Sequence, residues 1–458
     1  MPLIKSLLYF LFLWNISIVG NNAPKNTLEN TPKNVLNDSL NAFYKNFYQI
    51  KFNKLLKKEA AVSNFISIET QGIKLFSSLK NKKSNKYEFF MAWDELKTYQ
   101  NKNYLKNYLQ KYIKQENDED SLFVNFSTNI QKNDKKQPID IKLLLDIIKN
   151  PNKKPLLGYR IAIDPGHVSA DTITARIEGR IVEIRLPNPA NNGLDSIKTE
   201  IMESSMAWAT AKVMKDSLEK LGAKVLLTRE GIRYVAGENR TYLEIYEEYK
   251  NERKRQEKPF LSRKKYFYDV FLKQDLEKRA KIINDFNPDI TIIIHFNVEA
   301  NNLGWKKTVK NNFALALVGG AFTTSSLNSP KARFQLFRLL ISDEIENSIL
   351  LSQKVLAAHE TILKVPTLPV KHTQKPLEKT WLYTGTQGVY ARNLFLTKEV
   401  FGVLCYGESL LQDNEKEILL LNKKDFFVDG VLVSSRTKTV ANAYLKGIFE
   451  YLKIKIPK

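Results

Sequence analysis

The chain has 458 residues, 43% of them hydrophobic and 11% aromatic, which excludes disorder of the whole chain and leaves room for about two or three domains. Its 71 basic and 49 acidic residues give a formal net charge of +22. This charge says nothing about the fold but predicts attraction to a polyanion, such as nucleic acid, anionic lipid or an anionic cell-envelope polymer. The compartment in which the protein works decides among these partners.

Residues 1–20 have the pattern of a secretory signal peptide. Lys5 provides a short positive region, an apolar run begins at Leu7, and Gly20 marks an imperfect cleavage site. The apolar run is shorter than the roughly 20 residues of a membrane-spanning helix, so cleavage is favoured over an uncleaved membrane anchor. We therefore expect an exported protein of the periplasm or extracellular cell envelope. It would contact the membrane only through this segment, if at all, and would not bind nucleic acid.

The single cysteine, Cys405, lies in an apolar run, so an internal disulfide is excluded even though export usually brings paired cysteines. We interpret it as a buried, inert thiol. A catalytic cysteine beside a histidine is the alternative, but apolar surroundings would raise the pKa of its thiol.

Two regions of different character precede residue 156. Residues 21–37 are rich in Asn, Lys, Thr and Pro and predict a disordered lead. From Asp38 onwards, apolar residues recur at helical spacing, and the pattern returns at 105–113. Residues 38–150 are therefore predicted to form a small, mostly α-helical domain of unknown role.

Residues 156–458 have an α/β pattern, in which apolar runs of strand length alternate with helical stretches. We predict a mixed, mostly parallel sheet flanked by helices, including a helix over 203–221. Two insertions interrupt the pattern. The densely charged residues 230–275 predict a solvated helix, and residues 319–344 contain an amphipathic helix that we expect at the surface.

Two of the four histidines, His167 and His295, end apolar, strand-like runs at 161–167 and 290–295. The carboxyl ends of strands are where ligands and chemistry collect in an α/β sheet, and imidazole is the commonest side-chain metal ligand. These two histidines therefore predict a shared metal site. His359, in a helical stretch, and His372, in a Lys/Pro-rich loop, are interpreted as non-ligands.

A hydrolytic zinc site needs a third protein ligand and a further carboxylate to move protons. Glu203 opens the helix after the first histidine strand, and Glu408 directly follows the last apolar strand, so both can face the same cleft. Each also has a plainer interpretation when taken alone. Glu203 can complement the helix dipole, and Glu408 can be a turn or capping residue.

Four motifs in this order resemble the zinc-dependent N-acetylmuramoyl-L-alanine amidases, cell-wall hydrolases of the family-3 type. The resemblance covers roughly residues 158–458, apart from the two insertions. The motifs are Ile-Asp-Pro-Gly-His at 163–167; Glu203 with its helix, Gly222, a strand and Thr-Arg at 228–229; the Arg279 helix with His-Phe-Asn at 295–297; and the segment from Gly388 to Glu408, with Asn414 beyond it.

The resemblance implies an amidase catalytic domain that holds one Zn²⁺ ion through His167, Glu203 and His295, with Glu408 as the catalytic acid and base. Arg279 and Asn297 would contact substrate or support the ligands. The bond broken would be the amide between N-acetylmuramic acid and L-alanine in peptidoglycan, in cell-wall remodelling or daughter-cell separation.

The chain also departs from the family pattern. The stretch from His167 to Glu203 is longer than usual, so Glu183 and Glu200 compete for the ligand role, and Glu203 is preferred because its helix register matches. Val168 replaces the usual Gly after the first histidine. Residues 406–407, Tyr-Gly, replace a more regular apolar approach to the catalytic Glu. These differences bear on substrate preference more than on metal binding.

Two other functions stay open. One is a catalytically inactive, amidase-like protein that binds the envelope, although the intact set of ligand and catalytic residues argues against it. The other is a zinc amidohydrolase acting on another envelope amide. Related amidases that await a partner carry a cleft-blocking helix near 319–344, so the resemblance also raises autoinhibition and a regulatory activator protein.

Overall fold

The structure, a computed structural model, describes residues 33–116, 154–168, 171–187, 195–300, 302, 307–370 and 379–453. The predicted signal peptide at 1–20, the lead up to residue 32, residues 117–150 of the N-terminal domain and His372 lie outside the described residues. Among the helices that are described, none has the length and apolar character needed to cross a membrane.

Strands and helices are numbered here in chain order. The strands are β1 (Ile66–Ile68), β2 (Gly72–Leu75), β3 (Phe89–Ala92), β4 (Arg160–Pro165), β5 (Ile181–Val182), β6 (Arg185–Pro187), β7 (Ser196–Lys198), β8 (Ile201–Met202), β9 (Lys224–Leu227), β10 (Ile290–Asn297), β11 (Leu315–Val318), β12 (Trp381–Tyr383), β13 (Val389–Arg392), β14 (Val403–Leu411), β15 (Phe426–Val428) and β16 (Val431–Val433). The α-helices are α1 (Lys33–Lys51), α2 (Leu79–Lys83), α3 (Leu96–Tyr99), α4 (Lys102–Glu116), α5 (Thr172–Glu178), α6 (Glu203–Lys220), α7 (Tyr242–Arg255), α8 (Arg263–Tyr266), α9 (Leu272–Phe286), α10 (Pro330–Ile341), α11 (Glu344–Leu363), α12 (Phe395–Glu399), α13 (Glu417–Leu421) and α14 (Ser435–Leu452).

A seven-stranded sheet lies at the centre, in the order β12-β13-β11-β14-β10-β4-β9. The pairs β14–β10, β10–β4, β4–β9 and β11–β13 are parallel, whereas β11–β14 and β12–β13 are antiparallel. The predicted fold class, a mixed and mostly parallel sheet flanked by helices, is confirmed. Strand β10 begins with β-branched residues at 290–294 and is buried up to Phe296, as expected of a parallel strand covered on both faces.

Helices cover both faces of this sheet. Along β4, Ile161 and Ile163 pack into the core formed with α6, α11 and α14, whereas Ala162 faces α9 and α12. The predicted helix over 203–221 is α6, and it stops where Gly222 adopts a left-handed conformation, with φ at +96°. Cys405 is fully buried in the first of these cores, and burial raises the pKa of its thiol to about 12, as expected of an inert thiol.

The N-terminal segment, residues 33–116, is mostly helical, as predicted. Helix α1 begins at Lys33, inside the segment that was expected to be a disordered lead. The segment also contains a small antiparallel sheet, β1-β2-β3, which the sequence analysis did not predict. Strands of three or four residues show too little alternation to stand out from the surrounding helical pattern.

The expectation that residues 319–344 carry a surface helix is wrong. Helix α10 is buried from Ala332 to Ile341, because the N-terminal segment packs over it. The Phe337 ring lies 4.8 Å from that of Phe89, and the Arg333 guanidinium pairs with Glu88 at 2.9 Å. The N-terminal segment therefore packs on this insertion, and both belong to the same hydrophobic core as the central sheet.

Phe337→Ala tests whether this shared core folds as one unit. Phe337 is fully buried against Phe89 and Tyr99, so its truncation should cost about 3–5 kcal/mol of unfolding free energy. Urea denaturation followed by fluorescence and far-UV circular dichroism should still show one transition, at lower urea. Phe427→Ala, at a side chain that is 69% exposed, should stay within about 0.5 kcal/mol of the wild type. Separate transitions of the two regions would contradict the shared core.

His359 predicts a specific loss of stability in acid. Its ring is buried in α11, with Nδ1 2.8 Å from the Val355 carbonyl, and burial lowers its pKa to about 4. Between about pH 6.5 and 4 the unfolded chain therefore binds a proton that the folded chain does not, so stability falls as the pH falls. From pH 7 to pH 5 the wild type should lose about 2 kcal/mol more than His359→Gln. Urea denaturation at the two pH values measures this, and identical losses would refute it.

Candidate metal centre

Three side chains predicted as metal ligands converge at one end of the sheet. His167 Nε2 lies 3.0 Å from Glu203 Oε2, and His295 Nδ1 lies 3.0 Å from Glu203 Oε1 and 3.1 Å from His167 Nε2. A tetrahedral zinc ion with ligand distances of about 2.0–2.1 Å separates its ligand atoms by about 3.3 Å. The three side chains are therefore grouped closely enough to hold one metal ion.

The two competing carboxylates lie elsewhere. Glu183 pairs with Arg176 at 2.7 Å near the surface, and Glu200 lies 3.4 Å from the Thr172 hydroxyl. Glu203 joins the histidines because it is the first residue of α6, and its carboxylate accepts a hydrogen bond from the Phe296 amide at 3.0 Å. The sequence pattern that placed Glu203 at the start of a helix therefore agrees with its position in the structure.

Strand pairing brings the two histidines together. Strands β4 and β10 are parallel neighbours, with Ile294 opposite Pro165, so His295, near the end of β10, meets the loop that follows β4 at the same edge of the sheet. Gly166 makes the close approach feasible. A Cβ atom there would lie 2.5 Å from Nε2 of His295 and 2.6 Å from the Ile294 carbonyl oxygen.

Two buried arginines fix the backbone around the ligands. Arg279 donates to the carbonyls of Pro165, at 3.0 Å, and of His167, whose φ of +61° is left-handed. Arg229 donates to the carbonyls of Gly166, at 3.3 Å, and of Ser204, at 2.7 Å, so it ties the first histidine loop to the start of α6. Their shared role is to hold these loops in place.

Two carboxylates, from Asp275 and Asp164, neutralise the positive charge of Arg279. The guanidinium lies 2.7 Å from Asp275 and 3.5 Å from Asp164, and Thr228 donates to Asp164. This explains the Thr-Arg pair of the sequence motif, since Thr228 bonds Asp164 at the end of β4 and Arg229 bonds Gly166 in the loop that follows. Asn297 is different, because its side chain accepts from the Val298 amide at 2.8 Å and closes the end of β10 locally.

The protonation of two of the three side chains suits a cation. Burial alone would raise the pKa of Glu203, but His167 and His295 hold it well below its usual range. Burial lowers the pKa of His295 to about 4, so its ring is neutral. For His167, burial is outweighed by the carboxylates of Glu203 and Glu178, which raise its pKa to about 9. Its ring therefore carries a proton at neutral pH that metal binding would displace, since imidazole binds metals in its neutral form.

Glu408 lies beside this group. It is paired in register with His295 across β14 and β10. Burial, and then the charge of Glu203, raise the pKa of Glu408 to about 7, although Arg180 opposes the shift. A carboxyl group with a pKa near neutrality can both accept and donate a proton at physiological pH.

Three further residues reach the ligands, and the sequence analysis missed them. The Glu178 carboxylate lies 2.8 Å from Nδ1 of His167, and Tyr406 stacks on the His295 ring at 4.5 Å. The Arg180 guanidinium lies 3.9 Å from Glu203. The unusual length between the first two ligands and the Tyr-Gly departure from the family pattern were the only sequence signals at these positions.

A cleft of about 240 Å³ opens onto the ligands. One wall is formed by Phe267, Tyr268 and Leu272, and the other by residues 394–396. The first wall belongs mostly to the insertion 230–275, which is therefore more than the predicted solvated helix. None of the lining residues comes from α10, so in the described part of the chain this helix does not cover the cleft.

An aromatic cluster stabilises the first wall. Helix α7 is charged on its outer face and buries Tyr242 and Tyr246 on its inner face. These rings pack with Tyr266, Phe267 and Phe271, and the cluster includes Val168. The valine that replaces the usual glycine thus attaches the first ligand loop to the insertion.

Gly166→Ala should disrupt metal binding. The backbone at Gly166 is not left-handed, so the obstacles to alanine are the contacts of its methyl group with the His295 ring and with the Ile294 carbonyl oxygen, which precedes that ring in the chain. Displacement of that ring should lower the zinc content per chain, measured by mass spectrometry after dialysis against limiting zinc. Gly231→Ala is the control, since its methyl group would meet Tyr234, which is partly exposed and can rotate. Equal zinc contents in the two variants would argue against this role of Gly166.

Several solved amidase structures are similar to this chain at low sequence identity, whereas no curated protein sequence matches it. The amidase CwlD of Clostridioides difficile, solved with the lipoprotein GerS, is 17% identical, with 65% of this chain and 100% of that chain covered and a TM-score of 0.36. The apo amidase Ami1 of Mycobacterium abscessus is 15% identical, with 65% and 99% covered and a TM-score of 0.33.

The family assignment comes from the sequence. A family model described as N-acetylmuramoyl-L-alanine amidase matches residues 161–426, which is more than half of the chain. The match spans the three grouped ligands, Glu408 and both insertions. The chain belongs to the N-acetylmuramoyl-L-alanine amidase family.

Proposed function

We propose that this protein is a zinc-dependent amidase that cleaves the bond between N-acetylmuramic acid and L-alanine in peptidoglycan. The observation that carries the proposal is the convergence of His167, Glu203 and His295 beside Glu408, in a chain of this family. Two imidazoles and one carboxylate form a common ligand set of hydrolytic zinc sites, and such sites keep one position open for water. Here the cleft supplies the open side.

Zinc would be held by His167 Nε2, Glu203 and His295 Nδ1. When bound, it would supply the Lewis acidity that activates a water molecule and polarises the scissile carbonyl. The Phe296 amide and the Gln412 side-chain amide, at 3.0 and 3.5 Å, orient the Glu203 carboxylate. These contacts prepare the ligand before the metal arrives.

Glu408 would carry the proton transfers. It takes a proton from the attacking water and passes one to the amine nitrogen of L-alanine, which leaves as the free stem peptide. Burial, and then the charge of Glu203, raise the pKa of Glu408 to about 7 in the metal-free protein, and Arg180 limits this rise. The products are a free stem peptide and a glycan strand without it.

The basic charge and the N-terminal sequence support a location in the cell envelope. A net charge of +22 suits an anionic envelope polymer, and residues 1–20 have the signal-peptide pattern. The role would be cell-wall remodelling or daughter-cell separation. An activator protein remains a prediction of the family resemblance alone, because α10 lies under the N-terminal segment and away from the cleft.

Glu408→Gln tests the mechanism with almost no change in shape. Release of stem peptides from purified peptidoglycan should fall by about 10²–10⁴-fold, because the proton carrier is lost. The zinc content should remain that of the wild type. Glu200→Gln, at a carboxylate outside the ligand group, should leave both unchanged.

Two results would contradict the proposal. A wild-type protein that binds no zinc, or peptide release that survives Glu408→Gln, would remove the zinc mechanism. A wild type that binds zinc but releases no stem peptide would instead favour an amidohydrolase acting on another envelope amide, and an inactive wild type without any such substrate would favour the envelope-binding protein.

A further inference from the structure

Each of the two ring nitrogens of His167 lies next to a buried carboxylate, and the two carboxylates begin and end the segment 178–203. Nε2 lies 3.0 Å from Glu203, and Nδ1 lies 2.8 Å from Glu178. Both carboxylates are buried, with side-chain exposures of 1% and 6%. The segment between them, residues 178–203, makes up most of the long stretch that separates His167 from Glu203 in the sequence.

The fold of this segment explains the arrangement. Helix α5 ends at Glu178, Gly179 turns the chain with φ at +70°, and β5 follows directly. Strand β5 pairs with β8, which immediately precedes Glu203, so the chain returns to its starting point. The Glu203 amide also donates to the Arg180 carbonyl at 3.3 Å. The segment thus begins and ends on either side of the His167 ring.

Hydrogen bonds fix both the side chain and the backbone of Glu178. Its second oxygen accepts from the Val168 amide at 3.4 Å. The Tyr268 hydroxyl donates to the carbonyls of Ile177 and Glu178, at 3.2 and 3.1 Å, and so fixes the last turn of α5. Tyr268 belongs to the insertion 230–275, so the two unusual segments of the chain meet at the backbone of Glu178.

We propose that Glu178 is a positioning residue for the metal centre, an inference that rests on the zinc site of the proposed function. It accepts a hydrogen bond from Nδ1–H of His167, which fixes the tautomer with Nε2 free to bind the metal and fixes the direction of the ring. A carboxylate partner also makes the imidazole a stronger ligand. Arg279 holds the backbone of His167, and Glu178 holds its ring.

A purely structural role for Glu178 makes a different prediction. A buried carboxylate that only stabilised the fold would change the free energy of unfolding of the metal-free protein. It would not change the affinity of the folded protein for zinc. The measurement that separates the two roles is therefore the zinc dissociation constant of the folded, metal-free chain.

The experiment compares full-length wild type, Glu178→Ala, Glu178→Gln and Glu183→Gln in competition with a chromophoric zinc chelator. Glu178→Ala should weaken zinc binding by about 10–100-fold. Glu178→Gln should weaken it less, since its amide oxygen still accepts from Nδ1–H but carries no charge. Glu183→Gln is the matched control from the same segment, where the carboxylate pairs with Arg176, and it should bind zinc like the wild type.

Zinc dissociation constants of both Glu178 variants within about twofold of the wild-type value would overturn the inference. If Glu178→Ala fails to fold, Glu178→Gln decides, because it preserves the volume of the side chain. Failure of the proposed function is distinguishable, since it would appear as a wild type without zinc or without peptide release. Weakened zinc binding in the Glu178 variants would support the inference even if the substrate proved to be another amide.

Discussion

The parallel pairing of β4, β10 and β14 is the constraint on which the site depends. Parallel neighbours end at the same edge of a sheet, so the residues at their carboxyl ends meet there whatever their separation in sequence. His295 and Glu408 are directly opposite in the β10–β14 register, and the His167 loop follows the neighbouring strand. A slip of one residue in either pairing would turn the side chains of that strand to the other face.

Several charged side chains lie together at this edge of the sheet, and buried residues of opposite charge pair with one another beneath it. Below the ligands, Arg279 lies between Asp164 and Asp275, and all three are buried. Buried ions cost several kcal/mol each unless they are paired and fully hydrogen-bonded, so this cluster is better understood as a means of fixing backbone geometry than as a source of stability. Its hydrogen bonds end on the carbonyls of the first histidine loop.

Much of the site follows from local sequence pattern. The two histidines at strand ends, the helix that begins at Glu203 and the strand that carries Glu408 could each be found in a short window. Glu178 could not, because its contact with His167 depends on how α5 and the β5–β8 pair fold the whole stretch between His167 and Glu203. No spacing rule predicts that closure.

The prediction that α10 lies at the surface failed for a related reason. Its pattern includes Arg333 and Arg338, which made it resemble a surface helix. Both arginines are buried and paired, with Glu88 and Glu344 respectively, and Glu88 is 245 residues away in the chain. A charged residue in a helix predicts solvent exposure only if no oppositely charged residue from another segment pairs with it in the interior. A single sequence does not show such pairs.

The shared core of the N-terminal segment has a consequence for biosynthesis. Lys51 contacts Glu346 across 295 residues, and Leu55 and Leu56 bond the backbone of Ala321 and Phe322. These residues leave the ribosome well before α10 but cannot complete their core until α10 has been made. Non-local contacts of this kind slow folding and leave apolar surface exposed in the meantime. The N-terminal segment therefore completes its folding only after synthesis has passed residue 341, where α10 ends.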